Sequence, residues 1–183
     1  MSILAESSAT VIPTGTWAID PSHSTVEFHV QHLGLATVKG RAPVVSGAIE
    51  GGEQPSIRGT VAAASLTTFD ENRDAHLQSP EFFDTERYPE LAFESTSVAA
   101  EGDELAVEGE LTIKGVTRPV SLRGRYVGIA SDPWGNERIG IDLEGVVDRS
   151  AWNLTWNAPV PGGGLLLPDT VTLVATFSAV KVV

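Results

Sequence analysis

Residues 24–33 read S-T-V-E-F-H-V-Q-H-L, and this stretch decides the fold. Its apolar residues Val26, Phe28 and Val30 alternate with polar ones, a period of two that is typical of a half-buried β-strand. His32 falls on the apolar side, where an ionisable group is costly without a partner. Two interpretations stay open: a core histidine bonded to a backbone carbonyl, as most buried polar groups are, or a polar contact at the mouth of an apolar cavity.

The same period recurs in three later segments. Residues 105–113, 139–147 and 171–179 each alternate along the chain in this way. Such strands suit an antiparallel sheet with one solvated face. Turn signals, among them Gly102-Asp103 and Lys114-Gly115, separate the strands. We therefore predict an all-β protein, an antiparallel β-barrel of about eight strands, the number that closes around side chains or one ligand.

Residues 70–88 interrupt this pattern with charged side chains and without β-branched runs. We predict a short helical insertion in which Asn72 caps one helix, and Ser79 followed by Pro80 begins a second. Long excursions from a regular sheet are often functional. The segment is therefore either a lid over a cavity or a structural plug of one barrel end. The candidate lid residues are His76, Leu77, Phe82 and Phe83.

The composition limits the classes of function. A length of 183 residues predicts one domain, with a flexible tail at residues 1–14 and a barrel at residues 15–183. The net charge of −12 disfavours nucleic acid and anionic membrane surfaces as partners. The chain lacks an apolar run of the ~20 residues that a membrane helix needs, and it has no cysteine for disulfides or thiolate metal ligands. Because the first residues lack the cationic start and apolar core of a secretory signal, we expect a cytoplasmic protein.

Motifs for catalysis and metal binding are missing from the sequence. His29 and His32 are three residues apart, so on a strand they face opposite sides and do not form a metal-binding pair. The sequence has no G-x-S-x-G, H-E-x-x-H or P-loop motif. We expect no catalytic residue, no metal and no cofactor. Two alternatives stay open: a hydrolase or isomerase acting on a lipid-like substrate through His32, His76 and Asp74, and a ligandless, stress-related interaction protein with a filled core.

A binding function fits the inward-facing residues better. Ligand sites combine mostly apolar walls with a few placed polar groups. Arg149 keeps the inward parity of residues 139–147, so Arg149 and His32 are candidates for contact with a ligand's polar end. The structural alternative is an ion pair of Arg149 with an inward acid such as Asp20 or Asp74. The predicted apolar wall consists of Val26, Phe28, Val30, Leu122, Leu143, Trp152 and Phe177.

Five segments, in the same order, resemble the YceI-like family. They are the run W-A-I-D-P-S-H-S-T-V-E-F-H-V-Q-H-L from Trp17, the pair Lys39-Gly40, R-D-A-H-L-Q-S at 73–79, Phe82-Phe83 with Phe93, and G-E-L-T-I-K-G-V-T at 109–117. The resemblance extends from about Gly15 to the end of the chain. It implies a lipocalin-like barrel and, as in several members, a bound polyisoprenoid lipid. A homodimer stays open.

One motif departs from the family pattern. Where the family usually has Arg-Ser-Asp-Phe-Gly, this chain has Arg149-Ser150-Ala151-Trp152-Asn153. A carboxylate is lost, and a larger aromatic side chain stands at what we expect to be the cavity rim. The departure bears on the identity of the ligand more than on the fold. We therefore predict a binding or carrier protein for an elongated, apolar, isoprenoid-like lipid held inside the barrel.

Overall fold

The computed structural model describes residues 11–44 and 46–183. Within these residues ten antiparallel strands form one sheet, and the single α-helix is α1, Glu71–Gln78. This confirms the predicted all-β fold with a short helical insertion. Helix α1 is too short to cross a membrane, and the described residues contain no other candidate helix. The strands are β1 (Gly15–Ile19), β2 (Thr25–His32), β3 (Ala36–Pro43), β4 (Ser46–Gly51), β5 (Ser56–Ala62), β6 (Glu90–Glu101), β7 (Glu104–Ile113), β8 (Val116–Ser131), β9 (Glu137–Asp148) and β10 (Thr170–Lys181), with 3₁₀ turns at Pro21–His23, Ala63–Ser65 and Arg149–Trp152.

Eight of these strands close a barrel, which is the predicted number. The order around the ring is β1-β4-β5-β6-β7-β8-β9-β10, and β10 pairs again with β1. Strand β10 has two partners along one edge, because its residues 172–176 pair with β2 and its residues 179–181 pair with β1. The β2–β3 hairpin therefore lengthens one side of the wall beyond β1 and β4.

Tight turns set the register of the hairpins. Lys114 and Gly115 join β7 to β8 with φ angles of 51° and 74°. Two successive residues at positive φ form the turn whose twist matches that of antiparallel strands. Gly102, with φ of 63°, joins β6 to β7 at a predicted turn. Since a slip of one residue would move every side chain of a strand to the other face, these turns keep the apolar positions inside.

Apolar side chains fill one end of the barrel. Trp17, Ile49 and Ile139 are at most 2% exposed and belong to one cluster. Ile12 lies in the same cluster at 1% exposure, so the predicted tail is too long: residues 11–14 are part of the folded barrel. The first ten residues of that tail lie outside the described residues. The filled end leaves the opposite end, beneath α1, for a cavity.

The insertion contains one helix rather than two. Asp70, not Asn72, caps α1, because its carboxylate accepts a hydrogen bond of 2.9 Å from the backbone N–H three residues later. Ser79 ends α1 instead of starting a second helix. Its Oγ donates to the carbonyl oxygen of His76 at 2.7 Å, and the chain continues in turns towards β6. These turns bring Phe82 and Phe83 against the barrel.

Candidate functional site

A cavity of about 610 Å³ lies inside the barrel beneath α1. This volume falls within the range of roughly 300–1,000 Å³ that is usual for small-molecule sites. The exposed residues Asp70, Asn72 and Arg73 border the cavity, so it opens to solvent on their side. Its lining includes all seven residues of the predicted apolar wall, Val26, Phe28, Val30, Leu122, Leu143, Trp152 and Phe177, and also Leu91, Phe93, Leu111, Val171 and Leu173. Their contact with a ligand stays a prediction.

His32 lies on the cavity side of β2, and His29 lies on the outer side. The other three histidines each bond a carboxylate: His23 bonds Asp20, His29 bonds Glu27, and His76 bonds Glu81. By contrast, the hydrogen bonds among the described residues include none from the imidazole ring of His32. The structure therefore does not show the core histidine bonded to a backbone carbonyl, and the ring nitrogens stay available at the cavity surface.

Arg149 lines the cavity and is 6% exposed. It begins the 3₁₀ turn that follows β9, rather than extending the strand. Its Nη1 donates to the carbonyl oxygens of Leu154 at 2.6 Å and Trp156 at 2.9 Å, and its Nε donates to that of Pro168 at 3.0 Å. The guanidinium thus holds together the chain between β9 and β10, which forms part of the rim.

Neither acid considered as a partner of Arg149 pairs with it. The guanidinium of Arg138 lies 2.8 Å from Asp20, and this hydrogen bond is the main cause that lowers the pKa of Asp20 to about 2. Asp74 bonds two threonines instead. The carboxylate that faces Arg149 is Asp169, 3.6 Å from Nη2. Nη2 is buried and has no hydrogen-bond partner among the described residues, so one donor group remains unused.

The four candidate lid residues, His76, Leu77, Phe82 and Phe83, all line the cavity. The ring of His76 meets Phe82 and Trp156 edge-on, with centroid distances of 5.0 and 4.7 Å. Phe83 reaches deeper, with its ring centroid 6.4 Å from that of Phe28. The insertion therefore covers the cavity, and its opening as a lid stays a prediction. Trp156 was not among the predicted site residues, because the surrounding loop has no period and only the proximity of Trp156 to the Arg149 motif could have indicated its place.

The residues of the enzyme alternative do not form an acid–base pair. Asp74 accepts hydrogen bonds from Thr67 Oγ1 at 2.7 Å and from Thr68 Oγ1 at 2.6 Å. Burial would raise the pKa of Asp74, but these hydrogen bonds from Thr68 and Thr67 hold it below its usual value. Asp74 thus fastens α1 to the preceding loop, while His76 bonds Glu81. In residues 11–44 and 46–183, no three His, Asp or Glu side chains converge as a metal site.

The chain matches the sequence profile of the YceI-like domain over residues 17–179. The chain belongs to the YceI-like family. Protein YceI of Escherichia coli O157:H7 is 37% identical to it over 136 residues, which are 72% of this chain and 71% of that protein. The resemblance stated from the motifs is therefore confirmed.

Solved structures share the fold of this YceI-like chain. BcnA of Burkholderia cenocepacia has a TM-score of 0.73 and 21% identity, over 88% of this chain and 99% of that chain. A polyisoprenoid-binding domain from Saccharophagus degradans, implicated in plant cell wall breakdown, has a TM-score of 0.66 and 15% identity, over 91% of this chain and 98% of that chain. At these identities both comparisons show the fold alone.

The residues that depart from the YceI-like motif lie in and directly after the 3₁₀ turn that follows β9. Asn153 has φ of 59° and caps the 3₁₀ turn, at the position where the family has glycine. Asparagine is one of the few residues that adopt this left-handed conformation readily. Trp152 is 2% exposed, and its Nε1 donates to the carbonyl oxygen of Leu111 at 2.9 Å. The larger aromatic is therefore an anchored part of the cavity wall, to which it was also assigned from the sequence, rather than part of the rim.

Proposed function

We propose that this protein binds an elongated, apolar, isoprenoid-like lipid inside its barrel and acts as a carrier of that lipid. The observation that carries the proposal is the apolar cavity of about 610 Å³, which has only a few polar groups near its opening. Burial of hydrocarbon in such a space stabilises a complex by ~0.8 kcal/mol per methylene. The Saccharophagus degradans domain, which shares the fold, is a polyisoprenoid-binding domain, and this supports the isoprenoid class.

We also infer that the polar end of the ligand lies at His32 and Arg149. Both residues line the cavity, and Arg149 Nη2 is a buried donor without a partner among the described residues. A guanidinium donor suits a phosphate or carboxylate. Because the other nitrogens of Arg149 bond carbonyl oxygens, only Nη2 is free to contact the ligand.

Binding inside the cavity is tested by a substitution that places a large side chain in it from one strand of the wall. Ala175 on β10 lines the cavity, whereas the next residue, Thr176, is exposed on the outer face. We expect Ala175→Phe to lower the affinity for a prenyl alcohol at least tenfold, and Thr176→Phe to leave it unchanged. Binding is measured by native mass spectrometry and by titration, after lipid extraction of the purified protein. Unchanged binding by the Ala175→Phe variant, or no prenyl binding by the unmodified protein, would contradict the proposal.

The polar end is tested at Asp169, whose side chain is 61% exposed. Asp169→Asn removes the negative charge 3.6 Å from Arg149 Nη2 and leaves the arginine in place. If Nη2 binds an anionic head group, the affinity for a prenyl phosphate should rise severalfold, and the affinity for the matching prenyl alcohol should stay the same. Equal changes for the two ligands would show that the head group lies elsewhere.

A further inference from the structure

The rim of the cavity presents four exposed apolar side chains on three separate segments. Leu33 and Leu35 lie in the β2–β3 turn and are 45% and 86% exposed. Phe69, just before α1, is 78% exposed, and Leu165, in the loop before β10, is 61% exposed. We call these four residues the apolar rim. Large apolar side chains that are exposed together mark an interaction surface more often than single ones do.

Contacts show that these segments surround one opening. The backbone N–H of Leu33 donates to the carbonyl oxygen of Leu166 at 3.1 Å, which joins the β2–β3 turn to the loop before β10. The residues on both sides of Phe69 line the cavity, as do His32 and Leu166. Leu33 and Phe69 have φ angles of 55° and 62°. This conformation is uncommon for large side chains, so the fold holds these two outward against their own backbone preference.

The apolar rim has few charges in a strongly acidic protein. Residues 33–38 and 150–168 contain no Asp, Glu, Lys or Arg, although 20% of the chain is charged and the net charge is −12. Only the segment 68–73 carries charges, two acidic and one basic. The main penalty for burying a protein surface is the transfer of charged groups out of water. Insertion of the uncharged segments into an apolar phase transfers no charged group and therefore avoids this penalty.

We propose that the apolar rim docks on the surface of a zwitterionic lipid bilayer, with Leu35, Phe69 and Leu165 inserted among the lipid head groups. A bilayer without net charge does not repel the acidic body of the protein, and apolar side chains gain from entering the boundary of the acyl chains. A protein partner fits less well, because stable interfaces use about 20–30 residues on each side and the apolar rim consists of loop tips. Docking depends on the rim alone; loading of a ligand from the bilayer rests in addition on the proposed function.

The experiment measures co-sedimentation of the full chain with phosphatidylcholine vesicles. The rim variant combines Leu35→Asn, Phe69→Asn and Leu165→Asn, since asparagine tolerates the positive φ at Phe69. We expect it to lower the partition into vesicles at least tenfold.

A control variant removes three exposed apolar side chains away from the rim. It combines Ile129→Thr, Trp134→Asn and Val146→Thr, residues that are 50%, 82% and 63% exposed. We expect its partition to stay within twofold of the unmodified protein, and circular dichroism verifies that both variants are folded.

Several results would overturn the proposal. The unmodified protein could fail to sediment with phosphatidylcholine vesicles, or the rim and control variants could lose the same amount. Added anionic lipid at low salt should weaken binding because of the net charge of −12, so stronger binding would refute the charge argument. Self-association that needs the rim, without vesicle binding, would assign the surface to a second copy of the chain. The rim variant should keep its affinity for a soluble prenyl alcohol, which separates a failure of docking from a failure of the proposed function.

Discussion

Replacement of Arg149 by methionine should destabilise the protein strongly, because most of this guanidinium is structural. Methionine keeps an unbranched apolar side chain at this position and removes all donors. Three hydrogen bonds to backbone carbonyl oxygens are lost, at 2.6, 2.9 and 3.0 Å. A single hydrogen bond to a charged group contributes about 1.5–3 kcal/mol. Since the three bonds share one side chain and are not additive, we expect a loss of about 3–5 kcal/mol, as for other broken buried charge networks.

The assay is equilibrium unfolding in urea and by heat. For a domain of this size each kcal/mol shifts Tm by ~2–4 °C, so Tm should fall by roughly 10 °C. The matched control is Arg118→Met, because Arg118 is exposed and donates one hydrogen bond, of 3.1 Å, to the carbonyl oxygen of Thr117. We expect the control to stay within ~0.5 kcal/mol of the unmodified protein. If the Arg149→Met variant were as stable as this control, the hydrogen bonds to carbonyl oxygens would not stabilise the rim. The assignment of a structural role to Nε and Nη1 would then be refuted.

Three further predictions concern packing and pH. Gly109→Ala should destabilise the protein by about 1–3 kcal/mol in urea unfolding, because the new Cβ would lie 2.4 Å from the ring of Phe93 and 2.7 Å from the backbone carbonyl oxygen of Glu94; unchanged stability would show that both the ring and the backbone yield without cost. Asp20→Asn removes the ion pair with Arg138 and should lose about 2 kcal/mol at pH 7. Because the folded pKa, about 2, lies below the ordinary 3.8, this difference should shrink as the pH falls from about 4 to 2, and a constant difference across that window would rule out the ion pair as its cause. Phe83→Ala should lose roughly 2–4 kcal/mol and loosen the insertion, which protease sensitivity checks; equal sensitivity would mean that the insertion does not depend on this contact.

The alternation of apolar residues predicted the barrel and its lining, because burial of one face of a strand requires an apolar residue at every second position. Val26, Phe28 and Val30 line the cavity for this reason. The predicted N-cap of α1 was wrong by two residues. Asp70 and Asn72 are both good capping residues, and only the path of the chain before α1 determines that Asp70 is the cap. Local residue type alone does not contain that path.

The polar part of the site was harder to predict. Arg149 faces inward as its parity indicated, but its partners are carbonyl oxygens from a loop whose course is set by tertiary packing. A glycine at an inward position of a strand is equally ambiguous, because it can leave empty space or allow close packing. At Gly109 the missing side chain is replaced by the ring of Phe93, so the glycine records close packing and not empty space. Such partners are distant in sequence and leave no periodic signal.

Among the residues that the structure describes, the buried cluster around Trp17 and Ile49 closes one end of the barrel, so a guest would enter and leave at the opposite end. If the proposed function holds, a prenyl chain would enter tail first, and its head would leave before its tail. Each methylene withdrawn into water costs ~0.8 kcal/mol, or a factor of about four in the rate of release. For such a ligand the residence time would grow with every carbon until the tail meets the Trp17 cluster, and carbons beyond that limit would stay outside the mouth and delay release no further.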